Sequence, residues 1–208
     1  IALLDELFEQ YPKNQKDFPF DKYKERFDLV KNIVTKHKIT HISETRTMRG
    51  YINERELLLN VKDSQGVFEV FAVDGRLYSY PQASDPLAEG GRVTRQKTDG
   101  NWLVQWILPI NLMDLSKKYQ LSAEIRLEKE SSYAAACGAG CYDETAKKAV
   151  FYASIPGNKL SSKEYRFVDI GEPFTLTEGN KAYVYFSASA KSDIGSFYVN
   201  RIRLKPVN

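Results

Sequence analysis

The stretch GNWLVQWILPI, residues 100 to 110, carries both tryptophans of a 208-residue chain, Trp102 and Trp106, within five positions. Indole faces can lie against the apolar side of a pyranose ring when a few fixed polar groups nearby orient it. On a strand the even spacing puts Trp102, Val104, Trp106 and Leu108 on one face, and Leu103, Gln105 and Ile107 on the other. The tryptophan face is the more uniformly apolar, so it is expected to turn inward with Trp106 in the core. Trp102 stands beside a long glycine-rich loop and keeps a claim on a ligand, while Gln105 marks what the opposite face offers. Polar groups toward the same end are Asp85, Arg92, Arg95 and Asp99. The expected ligand-binding set is therefore Trp102, Gln105, Asp85, Arg92, Arg95 and Asp99, and the expected partner is an oligo- or polysaccharide.

Hydrolytic chemistry finds less support. A glycosidase needs two carboxylates facing each other across a cleft, and Glu44, the pair Glu54 and Glu56, and Asp143 with Glu144 can be nominated, but no context singles any of them out. There is no G-x-S-x-G elbow, no H-E-x-x-H and no phosphate loop. His37 falls in a lysine-rich helix end, where it caps or faces water rather than serving as a base. No catalytic residue is expected, and the chain is read as no enzyme.

Cys137 and Cys141 lie in AAACGAGCYDE. On an extended strand their Cα atoms are about 13 Å apart, beyond the roughly 7 Å a disulfide tolerates, so two reduced, packed thiols are expected. Two cysteines without histidine neighbours are too few for structural zinc. A structural calcium ion requires several of the scattered Asp74, Asp85, Asp99, Asp143 and Asp193 to converge, which a sequence does not show, so no metal ligand and no cofactor are assigned and a structural calcium stays open as an alternative.

The elements that must position these groups follow from periodicity. Ile1, Leu4, Phe8 and Tyr11 repeat at helical spacing up to Pro12, and Phe20, Tyr23, Phe27, Val30 and Val34 form a second amphipathic helix ending near His37. From about residue 56 the period becomes two, with ELLLNVKDSQGVFEVFAV read as strand, turn, strand. SYPQASDPLAEGGRVTRQKTDGN is read as one long polar loop. Strands are then expected at 101–108, 119–128, 133–142, 148–154, 164–169, 181–188 and 196–204. This predicts a mainly β fold, an antiparallel β-sandwich over 56–208 behind a helical segment at 1–55. Apolar residues make up 42% of the chain, enough for a sizeable core. The charges, 30 Lys and Arg against 27 Asp and Glu, are interspersed, which argues against nucleic acid as a partner. No window is apolar enough for a membrane span. The start at IALLDELFEQY, without a leader, reads as a mature product or an excised fragment.

The order of SDPLAEGGRVTRQ, NWLVQWIL, KYQLSAEIRLEKE, ACGAGCYDETAKKAV, SSKEYRFVDIGEPFTL and SFYVNRIRLKP resembles the C-terminal jelly-roll module of bacterial proteins related to α-glucuronidases, the DUF4838 family, especially from gut Bacteroidetes. FDLVKNIVTKHKITHISE is similar to the helical tail that ends their catalytic-like region. The resemblance implies a galactose-binding-like jelly roll, an accessory carbohydrate-binding module of an exported glycoside-hydrolase-like protein, periplasmic or at the cell surface. An upstream catalytic-like domain would be its second partner. It implies too that Asn200 replaces an aspartate near a structural cation, which speaks against calcium. The competing reading is a purely structural module docking on that upstream domain through Phe20, Tyr23 and Phe27.

Overall fold

The computed structural model describes residues 1–13, 16–43, 46–63, 66–74, 82–99 and 102–207. Contacts divide the chain into two units, Ile1–Phe68 with Asn111–Asp114, and Glu69–Ile110 with Leu115–Asn208.

The first unit is built on three helices, α1 (Ala2–Gln10), α2 (Phe20–His37) and α3 (Met48–Asp63), and a small antiparallel pair, β1 (His41–Ser43) and β2 (Arg46–Thr47). Apolar residues at helical spacing supply its core: Leu4 and Leu7 from α1, Tyr23, Phe27 and Val30 from α2, and Met48, Tyr51, Leu57 and Leu58 from α3. Lys38 closes α2 in the left-handed region at φ 51°. Its N–H donates to the Thr35 carbonyl at 3.3 Å, and that of Ile39 to Val34 at 3.0 Å. The aromatic stripe of α2 is thus covered from inside its own unit: Tyr23 and Phe27 are buried, and Tyr23 donates its hydroxyl to the Arg55 carbonyl at 2.8 Å. They are not available as the docking surface expected of them.

Residues 56–61, expected as a strand, belong to α3. The misleading residue is Arg55. Met48, Tyr51, Arg55 and Leu58 are all buried and recur at three and four residues, but a charge at the third position hides the period. Arg55 enters the core because its guanidinium lies 3.8 Å over the Tyr51 ring and is paired with Asp5 at 2.6 Å and Glu54 at 2.8 Å.

The second unit is an antiparallel jelly-roll β-sandwich. Its strands are β3 (Phe68–Phe71), β4 (Gln82–Ser84), β5 (Arg92–Lys97), β6 (Trp102–Ile107), β7 (Lys118–Leu127), β8 (Cys137–Asp143), β9 (Lys148–Ile155), β10 (Arg166–Phe174), β11 (Ala182–Ser187) and β12 (Ser196–Val207). One sheet has the order β10-β7-β12-β5-β4, with β3 also on β12; the other, four-stranded, runs β6-β11-β8-β9. Period-two alternation buries Leu121, Ala123, Ile125 and Leu127 from β7 and Phe197, Val199, Ile202 and Leu204 from β12 in the first sheet. Trp106, Val184, Phe186, Cys137, Ala139 and Cys141 line the second. In β12 the register passes from Val199 opposite Ile125 to Arg201 opposite Glu124, leaving Asn200 as the extra residue of a bulge. The bulge explains why Val199 and Ile202, three apart, share the inner face.

The stretch read as one long loop contains β4 and β5, joined by a turn in which Asp85 N–H donates to the Gly91 carbonyl at 3.0 Å. Polarity concealed β5, because Thr94 and Gln96 are buried together with Val93. No described helix is long and apolar enough to cross a membrane.

The helical assignment of residues 56–61 has a direct test. Leu58 is fully buried, so Leu58→Ala should lower the unfolding free energy of the helical unit by about 2–5 kcal/mol, measured by denaturant titration followed through helical circular dichroism.

Candidate functional site

Strand β8 reads Cys-Gly-Ala-Gly-Cys-Tyr-Asp. Cys137, Ala139 and Cys141 face the core, where both thiols are free and burial pushes each up to about 12. The intervening residues, Gly138, Gly140 and Tyr142, belong to the outer face. The pairing makes three cross-strand rows there: Ser187, Gly138 and Ser154; Tyr185, Gly140 and Tyr152; Tyr183 and Tyr142.

The glycines decide what this face looks like. A Cβ on Gly138 would come within 2.7 Å of Tyr152 Cζ, and one on Gly140 within 2.7 Å of Tyr185 Cζ. The phenol ends of both rings therefore rest directly on β8, Tyr152 reaching across from β9 and Tyr185 from β11. Their centroids are 6.2 Å apart and their planes only 20° apart. The two rings are thus stacked over β8. Tyr183 is turned 65° from Tyr185 at 6.3 Å and lies 5.5 Å from the Tyr142 ring. Tyr152 is 53% exposed, and its hydroxyl lies 3.3 Å from Ser187 Oγ. Burial raises the hydroxyl pKa values of Tyr183 and Tyr185 above the ordinary phenol value, so these rings remain neutral donors through the physiological range. Between Tyr142 and Ser154 the described residues of this face carry no formal charge, while beyond the Tyr183 end Lys181 and Glu144 pair with each other at 2.7 Å.

The residues nominated from sequence are dispersed. Trp102 and Gln105 stand on β6 as backbone register partners of Ser187 and Tyr185; their side chains lie outside the described residues. The other four belong to the six-stranded sheet and its turns, each already engaged. Arg92 donates to Gln82. Arg95 donates to Ser196 Oγ at 3.2 Å and pairs with Glu128 at 3.5 Å. Asp99 accepts from Gln96 at 3.3 Å. Asp85 is not a solvated loop residue but a buried one, 4% exposed. It accepts from Arg126 at 2.6 and 3.0 Å, from the Tyr165 hydroxyl at 2.7 Å and from the Leu87 amide at 3.0 Å. Burial alone would raise the Asp85 carboxyl; these hydrogen bonds outweigh it and hold its pKa below the usual carboxylate value.

The nominated acids are likewise engaged. Glu54 pairs with Arg55, Glu56 with Lys31 at 3.0 Å and Glu144 with Lys181, while Glu44 lies outside the described residues. Asp143 borders a cleft of about 260 Å³ with Lys148, Thr175, Thr177 and Asn180. Its carboxylate accepts from the Ala146 amide at 2.8 Å and Asn180 Nδ2 at 2.6 Å, pinning the β8–β9 turn. Among the described residues no three His, Cys, Asp or Glu side chains converge as a metal site. Asn200 donates to Glu124 at 2.7 Å.

Fold and face together define a jelly-roll sandwich module whose smaller sheet presents an uncharged aromatic surface. The chain belongs to the delta endotoxin family (Endotoxin_C), whose family profile matches residues 79–208. Among solved structures it is similar to the insecticidal delta-endotoxin Cry8Ea1 from Bacillus thuringiensis, with 17% identity and a TM-score of 0.49 over 70% of this chain and 25% of that one. The chain thus spans about a quarter of that toxin's length. It is similar also to the CBM36-1 domain of a multidomain xylanase from the hindgut metagenome of Trinervitermes trinervoides, at 7% identity and TM-score 0.45 over 68% of this chain and 98% of that one. A carbohydrate-binding module of Cellvibrio mixtus lichenase 5A, in complex with cellotriose, matches at 13% identity and TM-score 0.45 over 67% and 97% of the two chains. No curated protein sequence matches the chain.

The family match overturns the resemblance to the DUF4838 module and the Bacteroidetes origin drawn from it, since the same strands are delta endotoxin strands. The motifs behind that resemblance include Y-x-L-x-A-x-I-R on β7 and Y-V-N-R-I-R-L on β12. They are the inward and outward alternation of two central paired strands, a pattern that jelly rolls of different descent share.

The Asp85 cluster generates a stability prediction. Asp85→Ala leaves Arg126 buried without its partner and should cost about 3–5 kcal/mol, measured by denaturant unfolding. Because the carboxyl is held low in the folded protein, its contribution is complete above the unfolded pKa and is lost as pH falls below about 4. Asp85→Asn should accordingly flatten the acid limb of a stability-against-pH curve.

Proposed function

We propose that this chain is a non-catalytic sugar-binding module, and that the sugar lies on the tyrosine face of the four-stranded sheet. The observation that carries this reading is the placement of Tyr152 and Tyr185 on Gly138 and Gly140. Glycine on the outer face of a strand weakens it unless something packs closely there, and here two aromatic rings with their apolar faces occupy the space, Tyr152 being 53% exposed. Such faces match the apolar C–H side of a pyranose, and the neighbouring tyrosine and serine hydroxyls supply donors and acceptors for its rim. The engagement of Glu54, Glu56, Asp143 and Glu144 by structural partners supports binding without hydrolysis. With that partner goes the proposal of a periplasmic, cell-surface or extracellular location, where glycans are met.

Affinity electrophoresis through gels containing plant, microbial and host polysaccharides provides the test. At least one glycan should retard the wild-type chain, and Tyr152→Ala and Tyr185→Ala should each abolish the retardation. Tyr152→Ala, at an exposed ring, should leave the melting temperature within a few degrees of wild type. A wild-type chain that migrates freely through the whole panel refutes the proposal. Gly140→Ala gives a second check: its Cβ meets both the Tyr185 ring and the Phe151 carbonyl oxygen, the latter at 2.7 Å, so both retardation and stability should fall.

A further inference from the structure

We infer that the cleft beside the β8–β9 turn is a second binding site, which takes a single neutral sugar ring through a hydroxyl bridging Asp143 and Lys148. It shares no residue with the tyrosine face and goes beyond the reading above, which leaves this end of the sandwich unassigned.

The cleft holds about 260 Å³ and is lined by residues of the second unit, from β8, β9, the segment that follows β10 and the start of β11. That volume falls just below the usual range of small-molecule pockets, so the occupant is small. Ile110, Leu176 and Ala182 give the cleft buried apolar surface, and Asp143, Lys148, Thr177 and Asn180 give it polar groups. Apolar surface beside a few polar groups suits the C–H face and the hydroxyl rim of a sugar.

Asp143 and Lys148 decide the chemistry. They are register partners at the end of the β8–β9 ladder, so their side chains leave the same face of the sheet, and both line the cleft. The Ala146 amide does most to hold the Asp143 carboxyl below its usual value, against the opposing effect of burial. Asn180 and the Thr145 amide add to this, and the Lys148 ammonium acts through space without closing to an ion pair. Asp143 Oδ1 accepts from Ala146 and Oδ2 from Asn180, which leaves acceptor capacity on a carboxylate that takes about four hydrogen bonds. A group placed between the two charges must donate to the carboxylate and accept from the ammonium. A hydroxyl does both, whereas a carboxylate or sulfate has no proton for Asp143 and an ammonium has no lone pair for Lys148. A sugar ring carries that hydroxyl on a rigid frame, with further hydroxyls for Thr177 and Asn180 and a C–H face for Leu176 and Ile110. Water can fill the same bridge, so the gain on replacing it comes from the apolar contact, and affinity is modest.

The test titrates the isotope-labelled chain with glucose, galactose, mannose and xylose in turn and follows its amide NMR signals. At least one sugar should move the signals of residues 148–150 and 177–182 with a dissociation constant of about 1–10 mM. Lys148→Met, at an exposed position, should keep the fold and weaken that response roughly two- to tenfold. Acetate and methylammonium, as charged probes, should leave the same signals in place. Cleft signals that stay still in every sugar up to about 100 mM overturn the inference, as does a response that Lys148→Met leaves undiminished or that acetate or methylammonium gives equally. Shifts confined to Gly138, Gly140 and Ser187 overturn it too, while leaving the tyrosine-face reading standing.

Discussion

Strand β8 has almost no side chain on either face, and the sandwich is organised around that thinness. The one inner residue between its two cysteines is Ala139, so Val184 and Phe186 of the neighbouring strand bury completely beside it. Its outer glycines let rings from the strands on both sides lean inward over one backbone. The same backbone must pair with β11 and β9 along its whole length, which removes the freedom that two glycines would otherwise bring. A methyl group added on the outside meets a tyrosine and a carbonyl oxygen of the adjacent strand at once.

The two sheets put their outer faces to opposite uses. On the six-stranded sheet, Arg201 bonds Glu124 at 2.8 Å, Arg203 bonds Glu69 at 2.6 Å and Arg126 bonds Asp85 at 2.6 Å. Aromatic rings lie beneath the guanidinium groups: Phe167 is 4.0 Å from Arg203 and Tyr198 is 4.4 Å from Arg126. These groups are partly screened from solvent; Arg201 and Arg203 share Glu69, while Arg126, Asp85 and Tyr165 form a cluster of their own, and charge-assisted bonds of this kind hold geometry well. The four-stranded sheet has rings and hydroxyls in place of charges. A face already saturated by its own partners has little left for a ligand, whereas on the other sheet the Tyr152 ring is exposed.

Much of the sandwich was legible because alternation is a local signal. Strands β6 to β12 fall close to where the period of two put them, and Trp106 is buried as its apolar neighbours implied. Two failures share one cause, a polar residue in a buried position. Arg55 disguised the second half of α3, and Asp85, Thr94 and Gln96 disguised the hairpin of β4 and β5; for Arg55 and Asp85 the partner that permits burial lies far away in sequence. Asp85 and Arg126 are 41 positions apart, and no local pattern announces that meeting. The tyrosine face was missed for a different reason. With 13 tyrosines in the chain, none stands out until the pairing of β11 and β9 with β8 sets Tyr185 and Tyr152 on either side of Gly140. That juxtaposition was the available signal, but reading it required the register.

The two core thiols carry a consequence for how the molecule can be watched. Cys137 and Cys141 are buried, and their ionisation is pushed up to about 12, so alkylating reagents and oxidised glutathione find almost no thiolate to attack in the closed sheet. Labelling then waits on separation of β8 from its neighbours. The rate at which the pair acquires a label reports the opening frequency of the strand that carries the tyrosine face, giving this sandwich an internal clock that needs no added probe.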